Sequence, residues 1–86
     1  MEVRKEVKRF AEAMEQQLQA NDHKGGWQDC SLEWLAARLV QEAGELLMAI
    51  QGNAFKLLPE PIPGRVMAEA ADVANFAMMI WDRVEI

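Results

Sequence analysis

The sequence predicts an all-α protein of three main helices, an antiparallel bundle completed by homo-oligomerisation. Three observations lead there. Apolar residues recur at helical spacing in three stretches. Two breaks rich in glycine and proline separate those stretches. No segment alternates with period two over strand length, and β-branched residues are few. The chain has 86 residues, which makes it a single domain over 1–86. A chain this short buries only about 60–65% of its unfolded surface, so association with further copies is the expected remedy.

The first helix is expected over about Glu2–Ala20, where Val3, Val7, Phe10 and Met14 form one stripe of ordinary bundle packing. Asn21-Asp22-His23-Lys24-Gly25-Gly26-Trp27 breaks it, since paired glycines do not continue a helix. Ser31 then offers an N-cap, with Glu33 in the first turn where the helix dipole favours an acid. The second helix should run to about Gln51 and stop at Gly52-Asn53. Pro59, Pro61 and Pro63 forbid regular helix between Asn53 and Gly64. The third helix should begin near Gly64 or Arg65 and continue almost to the C-terminus.

Composition excludes several classes. Hydrophobic residues make up 51% of the chain, too many for intrinsic disorder. The single cysteine, Cys30, rules out a disulfide scaffold and reads as an inert buried thiol. The longest uninterrupted apolar run, Phe76–Trp81, is far short of the roughly 20 residues a membrane span needs. Charges in Met1-Glu2-Val3-Arg4-Lys5-Glu6 occupy the place of a signal peptide's apolar core. A cytoplasmic location, with no membrane partner, is therefore expected. The net charge of −5 argues against a nucleic-acid partner, which would call for a basic face.

The chemistry lies in two short patterns, Glu42-Ala43-Gly44-Glu45 on the second helix and Glu69-Ala70-Ala71-Asp72 on the third. Each is a pair of carboxylates at i and i+3, sharing one helix face. At about 100° per residue, each pair flanks the apolar stripe of its helix instead of facing it across the axis. The stripe of the second helix is Leu32, Leu35, Ala36, Leu39, Ala43, Leu46 and Ile50. That of the third is Val66, Ala70, Val73, Phe76, Ala77, Ile80 and Trp81. Antiparallel packing would bring all four acids close together. Two unit charges 4 Å apart repel by about 4 kcal/mol at an effective dielectric of 20, so the cluster calls for a cation. Oxygen ligands without sulfur or imidazole suit Mg²⁺ or Mn²⁺. Zinc prefers nitrogen or sulfur, and a di-iron bundle would place Glu-x-x-His on two helices, whereas His23 lies in the first break. Mg²⁺ held by carboxylates commonly takes substrate phosphates as further ligands, which points to a phosphorylated substrate.

Glu42-x-x-Glu45, followed after 23 residues by Glu69-x-x-Asp72, resembles the signature of the MazG-like all-α nucleoside triphosphate pyrophosphohydrolases. His23-Lys24-Gly25-Gly26-Trp27, Ser31-Leu32-Glu33-Trp34-Leu35 and Asp72-Val73-Ala74-Asn75-Phe76 resemble the short, stand-alone members, over about residues 20–82. The resemblance implies Mg²⁺-dependent hydrolysis between the α- and β-phosphates, yielding a nucleoside monophosphate and pyrophosphate. It also implies dimers or tetramers in which helices of two chains complete a four-helix bundle, and a role in removing unwanted nucleotides. The chain ends at Ile86 directly after the third helix. A C-terminal element of longer relatives is therefore expected to be absent or supplied by a neighbour. The segment between the acid pairs offers only Lys56 and Arg65 as basic residues, so residues of a closing lid are not evident.

On this reading Glu42, Glu45, Glu69 and Asp72 are both metal ligands and catalytic residues, one of them a candidate general base. Lys24 is a candidate phosphate contact against the plainer role of a solvated loop lysine. Trp27 either stacks on a base or plugs its loop onto the bundle. Asn75 continues the acidic face and would read a sugar hydroxyl or base edge. Trp34 suits a helix–helix contact better than substrate stacking, and surface pairing is the simpler role for Arg38, Arg65 and Arg83. Met67, Met78 and Met79 read as core or interface filling. The competing functional class is a helical interaction module that binds a metal or nucleotide without turnover.

Overall fold

A computed structural model describes residues 1–51 and 62–85. It contains three α-helices: α1, Lys5–Asn21; α2, Leu32–Gln51; and α3, Pro63–Val84. Among the described residues there is no strand, and no described helix is long and apolar enough to cross a membrane.

Local chemistry accounts for the helix limits. Helix α1 starts at Lys5, later than its stripe suggested, and no side chain caps it. The backbone then makes two short 3-10 turns, Asp22–Lys24 and Trp27–Asp29. Between them Gly25 adopts φ +92° and ψ 169°, a conformation open essentially to glycine alone. Ser31 caps α2 as its sequence position suggested, its Oγ accepting from the Trp34 backbone N–H at 3.1 Å. Pro63 does not lie outside the third helix but opens it at the first helical position, where its missing N–H costs nothing. The stop at Gly52-Asn53, and Pro59 and Pro61, lie outside the described residues.

Helix α3 is the central element, packed against α2 along one side and α1 along another. Contacts fix the directions. Trp34 meets Phe76, while Glu42, eight residues further along α2, meets Glu69 and Asp72, so α2 and α3 run antiparallel. On the other side the Asn75 amide donates from Nδ2 to the Met14 carbonyl of α1 at 3.0 Å.

The buried seam departs from the helical-wheel expectation. On α2 the fully buried positions are Leu35, Glu42 and Ala49, seven residues apart. On α3 they are Ala71 and Asn75. Glu42 therefore lies within the seam, not on its rim. Of the stripe expected to form the core of α2, Leu32, Ala36, Ala43 and Ile50 are exposed, and Leu39 and Leu46 are half-buried. On α3, Val66, Ala70, Val73, Phe76 and Ile80 are half-buried, while Ala77 and Trp81 are exposed. The α1 stripe is not ordinary packing within one chain: Val3, Val7 and Phe10 are exposed and only Met14 is half-buried. The physical reason is common to all three. Each stripe is wider than the surface that the other two helices cover.

Candidate metal centre

The antiparallel pairing of α2 and α3 places the two acidic motifs opposite one another. Carboxylate oxygens of Glu42, Glu69 and Asp72 all lie within 4.8 Å of each other. Glu42 is 6% exposed, and Glu69 and Asp72 are half-buried. Glu45 is exposed at the edge of this group. Its carboxylate acts on Glu42 and Glu69 by hydrogen bonding and charge, and on Asp72 by charge. Of the four acids read from the sequence, three thus stand within reach of one ion and the fourth flanks them.

Burial and mutual repulsion perturb all three inner acids. Glu42 is pushed up to about 7, first by burial, then by the hydrogen bond and charge of Glu45 and the charge of Asp72, with Arg38 opposing. Glu69 is raised by burial and by Glu45 and Asp72, against Arg65. Asp72 is raised by burial and Glu45, against Arg38. This is the expected electrostatics of like charges gathered in a poorly solvated place.

Arg38 supplies the local compensation. Its Nη2 lies 2.9 Å from Glu42 Oε1, one turn along α2, and its Nη1 donates to Gln41 Oε1. The guanidinium carbon sits 5.9 Å from the Trp34 ring centroid and 5.3 Å from that of Phe76, within cation–π range. Arg38 is thus no simple surface pair, because its partner is the buried acid. Trp34 and Phe76 meet edge to face at 6.4 Å, the helix–helix contact favoured for Trp34.

A divalent ion fits this donor set. One guanidinium stands against the carboxylates, and Glu69 Oε2 is buried with no hydrogen-bond partner. Octahedral Mg²⁺ holds oxygens at about 2.0–2.1 Å, hence about 3–4 Å from one another. Oxygens gathered within 4.8 Å close on such an ion with small side-chain rotations. The group contains neither His nor Cys, and His23 is exposed in the first 3-10 turn.

Beside the acids lies a cavity of about 550 Å³. Glu42 and Asp72 belong to both, so the cavity opens onto the acid cluster. Lys24, Trp27 and Asn75, the three substrate contacts read from the sequence, all line it, together with Arg38, Trp34 and Phe76. Asn75 is 4% exposed. With its Nδ2 committed to Met14, its Oδ1 has no partner. A backbone carbonyl only accepts, so this pairing fixes the amide's orientation. Arg65 lies near Glu69 and does not line the cavity. Cys30 is a free thiol only half-buried, not buried as its sequence setting suggested, because it stands on the cavity wall.

Sequence reasoning missed three contributions. Gln17, Leu18 and Asn21 of α1 form part of the cavity wall. Asp82 accepts from the Trp27 indole, and Arg83 donates to the Cys30 carbonyl. The two pairs stand 55 and 53 positions apart along the chain, and no local spacing signals such pairs. No protein-family model matches the chain, and no curated protein or solved structure matches it.

Proposed function

We propose that the chain is a Mg²⁺- or Mn²⁺-dependent pyrophosphohydrolase of the MazG-like type, splitting nucleoside triphosphates to monophosphate and pyrophosphate. The observation that carries the reading is a cluster of three carboxylates, flanked by a fourth, opening onto a cavity with cationic, aromatic and amide side chains. Glu42, Glu69 and Asp72, with Glu45 alongside, would hold the cation. When bound, the cation supplies neutralisation of phosphate oxygens and orientation of water. Arg38 and Lys24, on the cavity wall, would offer positive charge to the phosphate chain. Trp27 offers a ring for the base, and Asn75 Oδ1 an acceptor for an N–H or hydroxyl. In the hydrolysis, water oxygen adds to phosphorus, the bridging P–O bond between the α- and β-phosphates breaks, and pyrophosphate leaves. A carboxylate of the cluster takes the water proton. A homodimer or tetramer is part of the proposal, because much apolar surface of a single chain is left uncovered.

A module that binds a nucleotide or metal without turnover is the alternative, favoured by the ion pair through which Arg38 already offsets Glu42. Purified protein, Mg²⁺ and a panel of ribo- and deoxynucleoside triphosphates separate the two. The expected outcome is pyrophosphate release from at least one nucleotide, lost in Glu45→Gln and Asp72→Asn. Both variants should also show a smaller Mg²⁺-induced rise in melting temperature, since a cation that prefers the folded state stabilises it by mass action. Intact nucleotides throughout, or release of orthophosphate, would contradict the hydrolase reading.

A further inference from the structure

We propose that the last turn of α3 fixes the aromatic wall of the cavity, with Asp82 as a positioning residue for Trp27. The inference rests on the nucleotide reading above and assigns a role to residues outside the acid cluster. Trp27 lines the cavity, and its indole Nε1 donates to Asp82 Oδ2 at 2.9 Å. The neighbouring Arg83 donates from Nη1 to the carbonyl of Cys30. Two consecutive side chains of one helical turn therefore hold both ends of the Trp27–Asp29 turn. Among the described residues, these are the hydrogen bonds that join this loop to α3.

The loop's own hydrogen bonds are short-range, Gly25 N–H to Asp22 carbonyl and Cys30 N–H to Trp27 carbonyl. They shape the turns but do not place the indole against α3. Upstream, Gly25 turns the backbone at φ +92°, a conformation that side-chain-bearing residues rarely adopt. The Asp82 bond ties the ring to the last turn of α3. It also consumes the indole's single polar group, so that Trp27 has only an apolar ring surface for a ligand. Every nucleobase has a stacking face, and such contacts tolerate base identity. Asp82 should therefore govern affinity for all nucleotides alike, leave their relative preference unchanged, and act on KM more than on kcat.

The test uses the full chain and the variants Asp82→Ala, Asp82→Asn, Trp27→Phe and the double variant Asp82→Ala/Trp27→Phe. Steady-state kinetics with Mg²⁺ and each of the four common ribonucleoside triphosphates is the first readout. Asp82→Ala should raise KM about tenfold for every nucleotide turned over, the scale of one base–aromatic stack, with kcat within about twofold. Asp82→Asn keeps an acceptor oxygen and should restore most of the affinity. Trp27→Phe keeps a ring without the N–H and should mimic Asp82→Ala, with no further loss in the double variant. The second readout needs no activity. The chain has 3 Trp, and the indole N–H resonance that vanishes in Trp27→Phe should shift in Asp82→Ala. Wild-type KM in Asp82→Ala, equal losses of KM and kcat performance, additive effects in the double variant, or an unmoved resonance would each overturn the proposal. A wild type that leaves all nucleotides intact overturns the nucleotide reading instead, and the resonance still decides whether Asp82 holds Trp27.

Discussion

Glu42 is 6% exposed and shares its place with Glu45 and Asp72, with Arg38 as its opposing cation. Without metal its carboxyl titrates at about 7 instead of 4.5, so between those values the folded chain binds a proton that the unfolded chain releases. Stability from this group is fully present below about 4.5 and is lost as pH rises through about 7. Glu69 and Asp72, both raised, act in the same direction. The metal-free protein should therefore weaken on going from acid to neutral pH. Glu42→Gln should reduce that slope. Urea unfolding with chelator across this range measures it, and a wild type equally stable at both ends would refute the burial and repulsion described here. Mg²⁺ should reverse the trend, because a cation binds the deprotonated acids and its affinity climbs with pH.

At the scale of elements, helix limits were legible wherever the signal is local. Ser31 reads as a cap from its position alone, and its Oγ accepts the Trp34 N–H. Ser31→Ala should cost about 1 kcal/mol of unfolding free energy, and Ser31→Asp should preserve most of it. A chemical-denaturation comparison of the three proteins checks this, and an unchanged midpoint in Ser31→Ala would show the cap to be idle. The acid pairs were legible for the same reason, since i, i+3 spacing and antiparallel packing suffice to bring Glu42 toward Glu69 and Asp72. The depth of Glu42 was not. A helical wheel ranks apolar residues inward, but the seam follows whichever helix lies alongside. Here α3 covers Leu35, Glu42 and Ala49, while apolar neighbours remain outside. The pairings of Trp27 with Asp82 and Asn75 with Met14 depend on how distant elements dock, which no window of sequence encodes.

For the whole molecule, the decisive feature is that α2 carries a second apolar row outside its buried seam. Leu35, Glu42 and Ala49 face inward. Ala36, Val40, Ala43, Leu47 and Ile50 follow one another at spacings of four and three, and all are exposed, Val40 at 72%. That 4-3 spacing is the pattern of a helix–helix seam, and Gly44, between the two, adds no side chain to obstruct a close approach. The buried apolar residues among those described are Leu35, Ala49 and Ala71, a thin core set against a conformational entropy cost of about 1–2 kcal/mol per residue. Burying a Val or Leu side chain contributes about 1.5–3 kcal/mol, so pairing this outer row with that of a second copy would add to a thin core. The chain should accordingly run as a dimer or tetramer in light scattering at micromolar concentration. Its melting temperature should climb with protein concentration, because association stabilises the folded state by mass action. Val40→Glu and Leu47→Glu place charges on the outer row and touch neither the acid cluster nor the cavity. Both should shift the protein to monomer and lower its melting temperature, and a wild type that stays monomeric and melts independently of concentration would refute this pairing.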